Sequence, residues 1–219
     1  MTLEINQSGA RAGLHTSGAL WLPEHHTVLV ADAHVGKAVS FRKLGVPVPS
    51  GTTTETLNRL TGLLHDTQAQ RLVFLGDFLH SARSHAHATL AALAAWRAQH
   101  AQLAITLIRD NHDDRAGDPP ASLNIDVVNE PLPLGPFALC HHPQTVAGAY
   151  VLAGHWHPCT TVYGRARQRL RLPCFWMGAQ MGVLPAFGAF TGMHPIKRQP
   201  GDRVFAIADD VVRQLNALA

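Results

Sequence analysis

Five short polar stretches carry residue types that bind metals and move protons. They are Asp32-Ala33-His34, Gly76-Asp77, Asn111-His112-Asp113, His141 and Gly154-His155-Trp156-His157. In an extended segment residues i and i+2 point the same way, so Asp32 with His34, and His155 with His157, would each offer two donors to one place. Gly76 and Gly154 would let backbone and metal approach closely. Taken singly, each motif is ordinary: a D-x-H or H-x-H is usually surface or hydrogen-bonded structure, and a Gly-Asp is usually a turn. All five in order, each directly after an apolar run, point to a metal site at strand ends, where α/β sheets bind ligands.

The elements that must position these residues can be read from the apolar runs. Thr27 to Ala31, Arg71 to Leu75, Leu103 to Ile108, Phe137 to Cys140 and Tyr150 to Ala153 are short, rich in Val, Ile, Leu or Phe, and stop at a polar residue or glycine. Between the first three lie helical stretches. Thr52 to Gln68 follows a Pro-Ser-Gly turn and spaces Leu57, Leu60, Leu63 and Leu64 on one face; Ala86 to His100 is rich in Ala and Leu. Strands alternating with crossover helices predict a parallel α/β arrangement. After about Asp126 short strands follow one another, with antiparallel strands expected over 160–175 and 202–208 and a closing helix over Asp209 to Leu218. Pro173 and Pro185 argue against central strands there. The whole reads as one domain, 1–219, of mixed α+β and α/β class, with a β-sandwich core and helices outside.

Composition sets the limits. The 219 residues are 46% hydrophobic and 15% charged, enough apolar surface for a sizeable core. The net charge of +3 and pI near 9.0 are compatible with an anionic substrate. Histidine is unusually frequent, at 15 residues. Three cysteines, Cys140, Cys159 and Cys174, form no CxxC pair and read as reduced thiols of a cytoplasmic protein. No signal peptide and no membrane span are expected.

The motifs DAH, GD, NHD, H and GHWH resemble the signature of the calcineurin-like metallophosphoesterases. The resemblance implies the calcineurin-like fold, a two-sheet β-sandwich flanked by helices, and two metal ions. Asp32, His34 and His157 would hold one; Asn111, His141 and His155 the other; Asp77 would bridge them. His141 rather than His142 fits the family's H-x-P spacing, given Pro143. Carboxylate, amide and imidazole donors suit Mn, Fe or Zn better than Mg alone. Such cations neutralise phosphate oxygens and make a water more acidic. His112 would sit beside the phosphate, donating to an oxygen or protonating the leaving group.

A narrower resemblance covers nearly the whole chain. ADAHVGKAVSFRKLGVPVPSGTTTETLNRL, LGDFLHS, LCHHP, AGHWHP and RLRLPCFWMGAQMGVLPAFGAFTG are similar to the bacterial ligase-associated DNA damage response endonucleases. That family implies a manganese-dependent endonuclease preferring single-stranded DNA. It also implies functional association with an ATP-dependent DNA ligase, an exonuclease and a helicase, and a homodimer. Two departures stand out. Asp110 occupies the place of the Gly in the usual Gly-Asn-His, and His80 replaces an acid that orients the catalytic histidine in many phosphatases of the class. Asp113 is then a candidate orienting partner for His112.

Phosphate contacts are sought among basic residues. Lys37, Arg42 and Lys43 follow the first motif, Arg83 follows Asp77, and Arg165, Arg167, Arg169 and Arg171 recur at every second position. On a strand these four arginines would share one face, as a ribbon along a phosphate backbone or as a solvated strand face. Trp156, between two ligands, is either packing or a base-stacking surface. The metal motifs alone also fit a phosphatase or cyclic-nucleotide phosphodiesterase with a closed pocket, or a binding module that keeps metals without turnover.

Overall fold

The computed structural model describes residues 2–43, 45, 51–109, 117–163, 168–189 and 191–216. A first sheet takes the strands in sequence order: β1 (Thr2–Gln7), β2 (Ala10–His15), β3 (Leu20–Leu22), β4 (Thr27–Ala31), β5 (Arg71–Leu75), β6 (Ala104–Arg109) and β7 (Asp126–Asn129). The first four run antiparallel to their neighbours; β4 to β7 are parallel. The helices α1 (Lys37–Lys43), α2 (Thr52–Thr67) and α3 (His87–Gln99) lie within the parallel crossovers.

A second sheet holds β8 (Leu132–Leu134), β9 (Phe137–Leu139), β10 (Tyr150–Ala153), β11 (Pro158–Tyr163), β12 (Arg169–Met177), β13 (Met181–Val183), β14 (His194–Pro195), β15 (Arg203–Ala208) and β16 (Val211–Gln214). Its order among the described residues is β14-β11-β12-β13-β10-β9-β8, with β15 and β16 added beside β12.

Strand periodicity explains the layering. Every residue of β4 is buried. Val28 and Val30 pack with Leu57, Leu60 and Leu63 of α2 and Leu93 and Trp96 of α3. Leu29 and Ala31 face the other way, into a core with Phe137, Leu139, Leu152, Phe175 and Phe205 of the second sheet. On β5, Leu72 and Phe74 join the helix side while Val73 and Leu75 join the inter-sheet core. A parallel strand covered on both faces must be apolar throughout, whereas a half-exposed strand alternates. β1 is of the second kind, alternating exposed and half-buried residues.

Two expectations fail. The segment after Asp209 is strand β16, not a helix: Asp209 turns the chain with φ 50°, and Val211 and Val212 pair with Ala208 and Ile207. Adjacent β-branched valines favour that pairing over a helix. Pro173 does lie inside a strand, β12, but it pairs with Cys159 at the point where β12 leaves β11 and takes up β15 from Cys174 onward. Pro173 thus lies just outside the β12–β15 ladder. The hairpin β1–β2, not anticipated from sequence, turns at Ser8 and Gly9 with φ 52° and 83°.

For the site, register matters most. Ala31 pairs with Leu75, so β4 and β5 end together and place Asp32 beside Gly76 and Asp77. On the second sheet Leu152 pairs with Leu139, and the Gly154 N–H donates to the His141 carbonyl at 3.1 Å, joining those two strand ends.

Candidate metal centre

Beyond β4, β5 and β10 the chain does not stay extended. Asp32, His34, Asp77, His155 and His157 have φ of 50°, 45°, 41°, 69° and 47°. They are half of the non-glycine residues at positive φ among the described residues. The i, i+2 argument from an extended backbone is therefore replaced: left-handed residues coil the chain so that alternate side chains turn inward. Asp and His enter this region more readily than most residues, and strain of this kind collects at functional sites.

Among the described residues two groups of side chains could each hold a cation, with one donor atom per residue and all donors in a group within 4.8 Å. The first is Asp32, His34, Asp77 and His157. His34 Nε2 lies 3.6 Å from Asp77 Oδ2, and His157 Nε2 lies 3.5 Å from Asp32 Oδ1. The His34 N–H donates to the Asp77 carbonyl at 2.8 Å and ties the two loops together. Asp32 is fully buried; its Oδ2 accepts the His155 N–H at 2.9 Å, while Oδ1 has no hydrogen-bond partner. Both ring nitrogens of His34 and Nε2 of His157 are likewise buried without partners. Burying such atoms unsatisfied is costly, and a shared divalent cation would satisfy Asp32 Oδ1, His157 Nε2 and one nitrogen of His34 together. His157 Nδ1 donates to the Gly192 carbonyl at 3.1 Å, which leaves the Nε2 lone pair facing Asp32.

The second group is His141, His142 and His155. His141 Nδ1 donates to the Leu75 carbonyl at 3.0 Å, fixing its Nε2 as the acceptor, which lies 3.2 Å from His155 Nδ1. Two imidazole nitrogens at that separation can share one cation, since nitrogen ligands sit about 2.0–2.1 Å from zinc, for example. Gly76 is needed here for a particular reason. A Cβ on it, at φ 77°, would lie 1.8 Å from His141 Nδ1. At Gly154 an added Cβ would meet Asp32 Oδ2 at 2.8 Å and Leu75 O at 3.0 Å.

Spacing to Pro143 favoured His141 alone, but the structure brings in His142 too, its ring 4.3 Å from that of His155. Glu130 was not singled out in the sequence. Its Oε2 accepts the His141 and His142 N–H groups at 2.6 and 3.0 Å, and its Oε1 lies 3.5 Å from His142 Nδ1. No local motif marks it, because it lies 11 residues from the nearer histidine. Asn111 and His112, with Asp110 and Asp113, lie outside the described residues.

The electrostatics divide the histidines. Burial, reinforced by Lys37, pushes His34 down to about 3, so it is a neutral donor. Burial, with His141 and His142 nearby, also lowers His155. For His157 burial pulls down, but the neighbouring Asp32 carboxylate and the bond to the Gly192 carbonyl outweigh it and the net shift is upward. Lys37 is lowered by burial and drawn back by the charges of Asp77 and Asp32. His80, also lowered by burial and then by Lys37, packs edge-on against His34 with ring centroids 5.3 Å apart. Arg42 is on the exposed side of α1. The side chain of Arg83, and Arg165 and Arg167 entirely, lie outside the described residues. Arg169 and Arg171 share a face of β12 as the alternation requires; Arg169 stacks over Tyr163, and Arg171 donates to the Met193 carbonyl at 2.7 Å.

No family model matches the chain, and no curated relative matches it. Among solved structures, the nuclease MPE of Pseudomonas putida superposes with a TM-score of 0.86 at 43% identity, covering 98% of this chain and 100% of that one. The phosphoesterase Yfce of E. coli aligns over 86% of this chain and 97% of its own at 15% identity, with a TM-score of 0.43, too slight a likeness to argue from. Two sheets with donors converging at their strand ends, and a whole-length relative of this identity, make the chain a member of the metallophosphoesterase family that includes the Pseudomonas putida nuclease MPE.

Proposed function

We propose that this metal-dependent phosphoesterase is a DNA endonuclease, acting preferentially on single strands, with manganese as its working metal and DNA repair as its setting. Asp32, His34, Asp77 and His157 would hold one cation and His141 and His155 the second, with Asp77 shared and Asn111 assigned to the second by the family resemblance. The observation that carries the reading is the pair of donor groups at one set of strand ends, in a chain similar along its whole length to a nuclease. A pair of cations supplies charge neutralisation at the phosphate and a more acidic water. The protein's own part is to fix the donors. Leu75 O and Gly192 O set the tautomers of His141 and His157, and Glu130 anchors the His141-His142 backbone. Lys37 stands ready to meet a phosphate oxygen, and His112 is assigned the proton to the leaving group.

Among the described residues His155 and Trp156 are exposed, which suits a polymer passing over the donors better than a small ester in a closed pocket. Association with a DNA ligase, an exonuclease and a helicase, and a homodimeric state, belong to the same proposal. Incubation of manganese-loaded protein with circular single-stranded DNA, beside Asp77→Asn, tests it. Linearisation that the variant lacks supports the endonuclease. Intact circles together with hydrolysis of an aryl phosphate ester would move the substrate to small phosphoesters.

A further inference from the structure

Trp156 is joined by peptide bonds to both His155 and His157, yet it does not pack inward. Its side chain is 42% exposed, among the most exposed large apolar residues described. Its ring lies 5.6 Å from that of Trp176, tilted by 43°. Trp176 is held in place, its indole N–H donating to Asp202 Oδ2 at 2.8 Å. The two rings, with His194, Pro195, Ile196 and Lys197, line a cleft of about 320 Å³. The cleft continues from the first metal group: the His194 N–H donates to the His157 carbonyl at 3.0 Å, and the two rings lie 6.5 Å apart.

A large aromatic side chain left in water beside a site for a phosphodiester has a specific use. Every nucleobase has a π-face that stacks on indole whatever its sequence, and single-strand binding proteins combine such platforms with positive charge for the backbone. Lys197 supplies a charge of the required sign at the wall. We propose that the Trp156–Trp176 cleft is a nucleobase-stacking subsite, taking an unpaired base of a strand whose phosphate lies at the metal centre. A paired base, already stacked on both faces, cannot enter, so the cleft selects single strands. This rests on the nuclease reading above.

The test compares two strands of equal length under manganese, one of oligothymidylate and one in which abasic sites replace every base. The wild type is expected to favour the first in kcat/KM by about 5- to 150-fold, the range that one stacked base provides. In Trp156→Ala the ratio should fall to near one, while Trp156→Phe keeps most of it. Ile196→Asp, outside the ligand loop, should also collapse the ratio, so a folding or metal defect in Trp156→Ala does not decide the matter. The salt dependence of KM, set by phosphate contacts, should be the same in the wild type and the two Trp156 variants. A wild-type ratio of one, or variants that keep the wild-type ratio, overturns the subsite and leaves the nuclease standing. A wild type that cuts neither strand yet hydrolyses an aryl phosphodiester removes the nuclease reading and the subsite with it.

Discussion

Gly76→Ala isolates the packing on which the second donor group depends. Gly76 has φ 77°, and an added methyl would lie 1.8 Å from His141 Nδ1 and 2.3 Å from its Cγ. The imidazole cannot swing aside and keep its 3.0 Å bond to Leu75 O. Gly148→Ala is the matched control, since Gly148 has φ 76° and nothing within 4 Å of its would-be Cβ. The left-handed conformation alone costs alanine about 1–2 kcal/mol. At Gly76 a lost hydrogen bond of about 0.5–1.5 kcal/mol adds to it, with clash on top, for roughly 2–4 kcal/mol in all. For a chain of this size the control should melt about 2–8 °C lower and Gly76→Ala about 4–16 °C lower. The functional difference should be larger: the control keeps its metal content, whereas Gly76→Ala loses affinity at one of two sites and about 10- to 100-fold in turnover. Thermal melting, metal titration and phosphodiester hydrolysis read all three quantities. If Gly76→Ala melts with the control and binds the same metal, the crowding at His141 has no part in holding the site.

Glu130→Gln keeps an acceptor for the two histidine N–H groups but removes its charge; manganese affinity should weaken by about 10- to 100-fold, and titration showing wild-type affinity would sink the assignment. The metal-free protein should be acid-labile through His34. Its folded value of about 3 is depressed from 6.5, so the unfolded chain binds the extra proton, and stability present above 6.5 is lost as pH falls toward 3. At pH 5 the loss is about 2 kcal/mol, read by urea unfolding, and His34→Gln should flatten the dependence. The thiols should be silent: Cys140, Cys159 and Cys174 are fully buried, and burial pushes Cys140 up to about 11 and Cys174 to about 12. An aromatic disulfide reagent should therefore titrate none of them before unfolding and all three after. Rapid reaction in the native state would contradict that packing.

The strands that carry the donors were legible because both their faces are covered. β4, β5 and β10 are runs rich in Val, Leu and Phe that stop at Asp32, Gly76 and Gly154, and their bounds follow from composition alone. The hairpin β1–β2 escaped because Leu3 and Ile5 are its only large apolar alternation, although Ser8-Gly9 is a usable turn signal. The helix expected after Asp209 failed where Val212 is buried against the second sheet, a tertiary choice that no local spacing announces. At the site the residue types were readable and the backbone was not. Nothing in Asp-x-His spacing discloses left-handed φ at both ends. The meeting of Glu130 with His142 arises from how β8 and β9 follow each other, with Leu132 paired to Leu139.

The two donor groups differ in what they connect. His141, His142 and His155 all leave strands of the second sheet, whereas Asp32, His34 and Asp77 leave the first sheet and meet His157 from the second. A cation in the first group is thus a rivet between layers, closing a loop of chain from residue 32 to residue 157, and its binding energy counts as folding energy for the whole sandwich. A cation in the second group, held by His141 and His155 of the second sheet, would reach the first sheet through Asp77. Chelation should therefore loosen the two layers from each other as well as stop turnover.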